Sequence, residues 1–226
     1  MKYNKIEEAV FINRSNRFIA NIVVDGKAEL CHVKNTGRCK ELLIPGTTVF
    51  VEVHSDSKRK TRYSLIAVKK AERLINMDSQ APNKVVKEWL QTKEPFGKLS
   101  FLKAESTFGN SRLDFYIETQ ERKIFMEVKG VTLEENGVVC FPDAPTERGV
   151  KHIMELIEAK KKGYEAYLMF VIQMRNVRYL IPNDVTQKEF GEALRRARRE
   201  GVQLLAYDCL VEPDGLWIGS EVEIRL

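Results

Sequence analysis

The stretch that decides the fold of its surroundings is Ser111-Arg-Leu-Asp-Phe-Tyr-Ile-Glu-Thr-Gln-Glu-Arg-Lys-Ile-Phe-Met-Glu-Val-Lys-Gly130. Two extended runs flank a polar turn, a pattern typical of a β-hairpin. If the hairpin is symmetric about the bond between Gln120 and Glu121, Asp114 lies directly opposite Glu127. Because side chains alternate along a strand, Lys129 falls on the same face as Glu127. The pattern therefore predicts three ionisable groups at one spot.

Two carboxylates that face each other on a sheet repel, so the predicted pairing favours a divalent cation between Asp114 and Glu127. Carboxylate oxygens suit Mg²⁺ or Mn²⁺. Lys129 would hold or help deprotonate a water and stabilise charge on a phosphate, which is the chemistry of phosphodiester hydrolysis. An alternative remains open, because the turn lacks the Asn-Gly or Asp-Gly chemistry that fixes a register. In that case the hairpin is amphipathic and its charged groups are solvated or salt-bridged.

The composition indicates a folded chain of two modules. It has 226 residues, of which 43% are hydrophobic and 31% charged, enough for buried cores. No apolar run approaches the ~18 residues of a membrane span, and acids stand where a signal peptide would be apolar. The four cysteines do not suggest a disulfide framework. We expect a cytoplasmic protein with reduced thiols and no membrane partner.

The net charge of +5 is unevenly distributed. Residues 1–80 contain 15 Lys and Arg against 9 Asp and Glu, whereas residues 81–226 are nearly balanced. A cationic module suits a polyanion, because neutralising phosphates releases condensed counterions. A basic protein without such a partner is the alternative that charge alone leaves open.

The first 80 residues read as about five short strands separated by turn signals such as Asp25-Gly26 and Pro45-Gly46, which predicts a small β-barrel of the oligonucleotide-binding (OB) type. We place one domain at 1–81 and a second at 82–226. Strands alternate with helices in the second domain, which predicts a mixed α/β sheet. We expect Asn83 to cap the first helix, and Thr186 with Glu189 to form a capping box for the last.

Four segments in order, spread over essentially the whole chain, resemble the sugar fermentation stimulation protein (SfsA) family. They are His32-Val-Lys-Asn-Thr-Gly-Arg-Cys-Lys-Glu-Leu-Leu-Ile-Pro-Gly46, Gly109-Asn-Ser-Arg-Leu-Asp-Phe115, Met126-Glu-Val-Lys-Gly130 and Phe141-Pro-Asp-Ala-Pro-Thr-Glu-Arg-Gly-Val-Lys-His152. The resemblance implies an α+β two-domain fold, with an N-terminal OB-type barrel followed by a PD-(D/E)XK nuclease-like domain. It also implies DNA binding, with a proposed link to sugar metabolism genes.

Carried over residue by residue, Asp114 matches the metal-binding aspartate of that nuclease type, Glu127 its second acid and Lys129 its lysine. Leu113 stands where the motif's name has proline, a position at which proline is commonly absent. Glu105 is a further candidate acid, with an exposed strand glutamate as the equal alternative.

Further candidates lie near the second helix and in a barrel loop. His152 is a candidate proton donor or phosphate contact, with a surface or capping histidine as the alternative. We expect DNA contacts from seven residues, some of which are alternatively a structural turn with solvated cations. These are Asn35, Thr36, Arg38, Lys40, Arg112, Arg148 and Lys151.

The sequence thus predicts a DNA-binding protein with a Mg²⁺- or Mn²⁺-dependent nuclease site and no small-molecule cofactor. The alternative is a non-catalytic DNA-binding regulator of sugar metabolism genes that retains a nuclease-like fold. A third class, a structural or interaction protein, predicts no DNA affinity at low salt.

Overall fold

A computed structural model describes residues 1–35, 37, 39–56 and 58–226 of the chain. Its first six strands are β1 (Lys5–Asn16), β2 (Ile19–Val24), β3 (Lys27–Val33), β4 (Thr48–Val53), β5 (Tyr63–Lys70) and β6 (Arg73–Asn76). Helix α1 (Ala81–Lys93) precedes β7 (Phe101–Phe108), β8 (Ser111–Glu118), β9 (Lys123–Val131), β10 (Glu134–Glu135) and β11 (Val138–Phe141). Then follow α2 (Glu147–Lys161), β12 (Glu165–Ile172), β13 (Tyr179–Pro182), α3 (Lys188–Arg199), β14 (Gln203–Glu212), β15 (Gly215–Glu221) and β16 (Glu223–Ile224).

The first six strands form a sheet in the order β3-β2-β1-β4-β5-β6, and a parallel pairing of β3 with β5 closes it into a barrel. Alternating burial along β2 places one face of the strand inside. Asp25 and Gly26 both have positive φ, 47° and 75°, as a tight hairpin turn between β2 and β3 requires. The predicted turn at this dipeptide follows from that backbone requirement.

The second module is built on a six-stranded sheet in the order β15-β14-β12-β9-β8-β7. β7, β8 and β9 are antiparallel neighbours, whereas β9, β12 and β14 are parallel. Residues of α1 pack with one buried cluster of this sheet, and residues of α2 and α3 pack with another. The sheet is therefore covered by helices on both faces, which explains the nearly continuous apolar run of β12.

A small sheet, β10-β11-β13-β16, lies beside the main one. The segment between β11 and α2 leads from this small sheet to the N-terminus of α2, where the Thr146 hydroxyl accepts from the Gly149 backbone N–H at 2.9 Å. This cap fixes the start of α2, the helix that supplies part of the site described below.

The two modules meet through buried polar groups, beside a tightly packed glycine of the second module. Gln173 in the second module donates to the Asn76 side chain of the barrel at 2.9 Å, and the Asn76 backbone N–H donates back to the Gln173 carbonyl at 2.9 Å. At Gly130 in β9, a Cβ would lie 2.6 Å from Gln173 Oε1 and 2.7 Å from Pro82 Cγ. A glycine is therefore required where β9 passes the junction.

Two predicted helix starts were wrong. The N-cap of α1 is Gln80, and Asn83 lies inside the first turn, because Pro82 occupies an early helical position that suits its fixed φ. The N-cap of α3 is Gln187, not Thr186. Asn183 explains this shift, since its side-chain and backbone oxygens both accept from the Thr186 N–H and hold that residue in a preceding turn.

In the part of the chain that the structure describes, the helices are too short or too polar to cross a bilayer.

Candidate functional site

The hairpin of β8 and β9 has the register that the sequence predicted. Phe115 pairs with Met126, and Glu118 pairs with Lys123 at the turn end. The ladder stops at Phe115, so the next residues, Asp114 and Glu127, lie where the two strands begin to separate. The predicted alternation therefore brings both acids to one end of the hairpin.

The Asp114 carboxylate bridges two elements. Its Oδ2 accepts from the Val128 backbone N–H at 2.8 Å, and its Oδ1 accepts from the Asn83 side-chain amide of α1 at 2.7 Å. A side chain that accepts from the adjacent strand's backbone lies close to the plane of the sheet. The carboxylate is thus held between β8 and β9.

The Asp114 carboxyl group is hard to ionise in this position. Burial, and then the negative charge of Glu127, raise the pKa of Asp114 to about 6. The hydrogen bonds from Val128 and Asn83 and the charge of Lys129 act in the opposite direction and only partly compensate. Burial is thus the main cause of the raised pKa, and Glu127 lies close enough to Asp114 for its negative charge to add to it.

Glu127 is 2% exposed. Its Oε1 accepts from Lys129 Nζ at 2.6 Å and from Nδ1 of His152. Burial would raise the pKa of Glu127, but the hydrogen bond from His152 and the charge of Lys129 outweigh burial and lower it. The second oxygen, Oε2, is buried and has no hydrogen-bond partner. Glu127 is therefore an ionised carboxylate with one oxygen unused.

His152 and Arg148 extend this arrangement along α2. Arg148 Nε donates to His152 Nε2 at 3.3 Å, so Nε2 must carry a lone pair. The proton of the neutral ring is then on Nδ1, which donates to Glu127. The structure therefore brings His152 to the acids as a buried group that orients Glu127, with Arg148 fixing its tautomer.

The donor set fits a hard divalent cation. Among the described residues, no three His, Cys, Asp or Glu side chains form a complete metal cage. Mg²⁺, however, is usually held by one or two carboxylates together with water and phosphate oxygens. An unpaired, buried carboxylate oxygen on Glu127 beside the coupled carboxylate of Asp114 is the arrangement such an ion would satisfy.

The backbone of Glu105 lies beside Asp114, but its side chain points to Arg112 on the surface. The pairs Ala104 with Phe115 and Ser106 with Leu113 leave Glu105 opposite Asp114, without a ladder bond and with φ of +54°. Its carboxylate is exposed and forms an ion pair with Arg112 at 3.5 Å. The structure therefore places Glu105 and Arg112 on the surface next to the acids, not in contact with them.

The predicted DNA contacts are spread over two regions. Lys151 on α2 is exposed, and its Nζ donates to the Asn110 carbonyl at 2.8 Å. In the barrel loop, Asn35 Oδ1 accepts from the Gly37 N–H at 2.8 Å, and the exposed Lys40 lines a cavity of about 460 Å³. Thr36 and Arg38 lie outside the described residues.

Sequence reasoning missed the contact from Asn83 to Asp114. Asn83 was expected to cap a helix, since Asn is a strong N-cap residue. The available signal was weak: a polar residue that directly follows Ala81 and Pro82, the first buried residues of α1. Its partner lies 31 positions away along the chain, a separation that no local pattern encodes.

Comparisons with known proteins agree along the whole chain. Residues 12–77 match the SfsA N-terminal OB domain, and residues 80–215 match the Sugar fermentation stimulation protein RE domain. Curated relatives named sugar fermentation stimulation protein homolog are 57% identical in Ruminiclostridium cellulolyticum, covering all of both chains, and 56% identical in Clostridium beijerinckii with the same coverage.

A solved structure also matches over the full length. The structure of Pyrococcus furiosus SfsA in complex with Ca²⁺ superposes with a TM-score of 0.90 at 26% identity, covering 100% of this chain and 98% of that one. The predicted fold class is confirmed as an OB-type barrel followed by a mixed-sheet α/β domain. Within that class, the chain belongs to the SfsA family.

Proposed function

We propose that the protein binds DNA and hydrolyses phosphodiester bonds with a divalent metal ion, Mg²⁺ or Mn²⁺, held by Asp114 and Glu127. The observation that carries the proposal is the unpaired buried oxygen Oε2 of Glu127, beside a second carboxylate whose pKa is raised to about 6. A cation would neutralise both carboxylates and occupy the unpaired oxygen. The Ca²⁺ in the Pyrococcus furiosus relative supports this, because Ca²⁺ is a hard cation that prefers oxygen ligands.

Each residue of the site has a defined part in this proposal. A bound metal ion supplies Lewis acidity toward a phosphoryl oxygen and lowers the pKa of a bound water. Asn83 holds Asp114 in position, and His152 holds Glu127. Lys129, with its side chain 14% exposed, is the cation at the edge of the site that can stabilise negative charge on a phosphate.

We also propose that the modules divide near residues 81 and 82, with the basic barrel binding the DNA backbone. The six-charge excess of Lys and Arg in residues 1–80 supports this role. The described cysteines are free thiols, which suits the reducing cytoplasm as the site of action.

The test is to incubate purified protein with single-stranded and duplex DNA in EDTA, Mg²⁺ or Mn²⁺, beside Asp114→Ala and Glu127→Ala. Asp184→Ala is a matched control, since Asp184 is an exposed carboxylate paired with Arg195. Metal-dependent cleavage that both site variants lose, and the control retains, supports the proposal. DNA binding without cleavage under every condition contradicts it and favours the non-catalytic regulator.

A further inference from the structure

A cavity of about 310 Å³ lies at the junction of the two modules. Its floor is residues 130–132, directly after Lys129, and one wall is residues 143–146, which lead into α2. The barrel contributes Asn35 and Gly37, and β11 contributes Cys140 and Phe141. β9 and β12 are parallel and end beside this cavity, at the edge of a sheet where α/β proteins commonly bind ligands.

The barrel wall of the cavity is held rigidly in place. Arg14 donates to the Gly37 carbonyl at 2.7 Å and to the Asn35 carbonyl at 2.6 Å. Ser79, just before α1, donates its hydroxyl to the Lys34 carbonyl at 2.5 Å. The barrel loop also touches the opposite wall, since a Cβ at Gly37 would lie 2.8 Å from Asp143 Oδ2. The cavity is therefore a site built jointly by both modules.

The walls offer unused hydrogen-bonding groups. Within the described residues, the Asn35 amide nitrogen, the Thr132 hydroxyl and the Asp143 carboxylate make no hydrogen bond. They supply one donor, one group that both donates and accepts, and one acceptor. A nucleobase edge carries the complementary mixture of donors and acceptors, and Phe141, whose ring packs against Phe170 and Phe190, adds apolar surface to the lining.

The described lining of the cavity favours a neutral group over a phosphate. None of its described lining residues is Lys or Arg, and Asp143 contributes a negative charge. Of the described cations, Lys129 stands one residue before the floor and Arg148 two residues beyond Thr146, and neither lines the cavity. A nucleotide with its base in the cavity would thus direct its phosphate toward Lys129 and the two acids.

We propose that this cavity, here called the junction pocket, receives one unpaired nucleobase of a nucleic acid strand, next to the phosphate that the acids would attack. The inference deepens the proposed nuclease function and rests on it for the attack, but not for the binding. Its size is at the lower limit of ligand pockets, which suits a single base taken out of a stack. The substrate class is therefore a strand with unpaired nucleotides, not an intact duplex.

Cys140 provides a direct probe, because it lines the pocket and is partly exposed, whereas the other three cysteines are buried. Alkylation of Cys140 by iodoacetamide is followed by peptide mass spectrometry in EDTA, where metal-dependent cleavage is excluded. The competitors are a short thymidine homopolymer, an abasic strand of the same length and a blunt duplex. Each is added at about ten times its dissociation constant from fluorescence anisotropy.

The thymidine strand is expected to slow alkylation of Cys140 about tenfold, since a bound strand leaves about one tenth of the protein free. The abasic strand and the duplex leave the rate unchanged. Equal protection by the abasic strand, or no protection by the thymidine strand, overturns the junction pocket. Alkylation in EDTA tests binding alone, and cleavage of the same thymidine strand is measured separately in Mn²⁺. Protection in EDTA with no cleavage in Mn²⁺ would refute the proposed hydrolysis alone, and cleavage in Mn²⁺ with no protection in EDTA would refute the pocket alone.

A second measurement decides the case where Cys140 reacts too slowly to follow. Thr132→Val removes the hydroxyl and keeps the branched shape, so affinity for the thymidine strand falls about two- to tenfold, the effect of one hydrogen bond. Affinity for the abasic strand stays the same. Thr107→Val, at an exposed position of β7, is the matched control and changes neither affinity. Equal effects of Thr132→Val on both strands contradict the proposal.

Discussion

Glu127 and Glu134 are two buried glutamates seven positions apart, 2% and 6% exposed. They differ in how many of their carboxylate oxygens have hydrogen-bond partners. Glu134 has both oxygens partnered: Oε1 by Gly137 N–H and Arg73, and Oε2 by Lys70. Those partners outweigh burial and lower the pKa of Glu134 to about 2. Glu127 receives both its partners on one oxygen and leaves the other bare.

The difference separates a carboxylate that holds structure from one that is kept available. A buried acid that only stabilises the fold gains most when every lone pair is used, as at Glu134. Leaving Oε2 of Glu127 unpaired, next to the coupled carboxylate of Asp114, costs stability in the metal-free protein. Such a cost at a pair of acids indicates function.

The largest expected effect is on the rate of DNA cleavage, which should depend on Glu127 but not on Glu134. Glu127→Gln removes the charge that would hold the proposed metal ion, and the rate of DNA cleavage in Mn²⁺ should fall about 10²- to 10³-fold, as when a group that stabilises the transition state is removed. Glu134→Gln, with the same change of chemistry at a fully partnered site, should leave the rate per folded molecule unchanged. A comparable loss of cleavage rate in both variants would show that Glu127 and Glu134 do not differ in function.

The next effect is on thermal stability in EDTA, where substitution of Asp114 should stabilise the protein and substitution of Glu134 should destabilise it. The pKa of Asp114 is raised from 3.8 to about 6, so its contribution to stability is lost as pH rises through that window. Asp114→Asn should therefore stabilise the metal-free protein by about 2 kcal/mol at pH 7.5, or roughly 4 to 8 °C in Tm, and by little at pH 4.5. Asn83 can rotate its amide to accept from the new side chain.

Glu134 supplies the contrast for that measurement. Its pKa is lowered from 4.5 to about 2, so its contribution is present above pH 4.5 and is lost as pH falls toward 2. Glu134→Gln should destabilise the protein by roughly 1 to 2 kcal/mol at pH 7.5, a value reduced because Lys70 is partly exposed. A Tm for Asp114→Asn below that of the wild type at pH 7.5 would contradict the assigned coupling.

A smaller effect is expected where a residue acts through Asp114. Asn83→Ala removes the donor to Oδ1 but leaves the Val128 N–H in place. The affinity for Mn²⁺, measured by calorimetry, should fall about tenfold, as for other residues that orient a metal ligand. Asn83→Leu keeps a similar size but has no donor, so it should give a similar loss. Unchanged affinity in both variants would show that Asn83 is only a helix residue.

The smallest effect concerns cations rather than acids. Arg38→Ala with Lys40→Ala should weaken DNA binding a few-fold at moderate salt and reduce the salt slope by about one for each phosphate that is no longer neutralised. Lys70→Ala, which removes a cation committed to Glu134, should lower Tm instead and leave the salt slope as it was. Equal DNA affinity of the double variant and the wild type would exclude a backbone contact from this loop.

The hairpin shows how much the sequence could predict. Its register was predicted by assuming a hairpin symmetric about Gln120 and Glu121, and the pairing of Phe115 with Met126 confirms that assumption. The turn residues themselves did not fix the register. The convergence of Asp114, Glu127 and Lys129 followed from that register. The family resemblance supplied the OB barrel and the nuclease-like domain, which strand spacing alone left among several small barrels.

The remaining parts depend on contacts between elements that lie far apart in the chain. The position of His152 against Glu127 depends on how α2 lies across β9, and the contact of Asn83 depends on where α1 begins. The side chain of Glu105 turned to Arg112 because a positive φ interrupts β7 at that residue. Local patterns specify none of these, since they arise from packing of the whole domain.

Gly130 shows how closely the second module is packed where it meets the barrel. Pro82 and Gln173 leave room at its α-carbon for a hydrogen atom but not for a Cβ. A single added methyl group would press on the Pro82 ring and on the Gln173 amide, and through Gln173 on the buried hydrogen bonds that join it to Asn76 of the barrel. Residue 130 therefore specifies the joint between the halves, and through that joint the shape of any surface that both halves share.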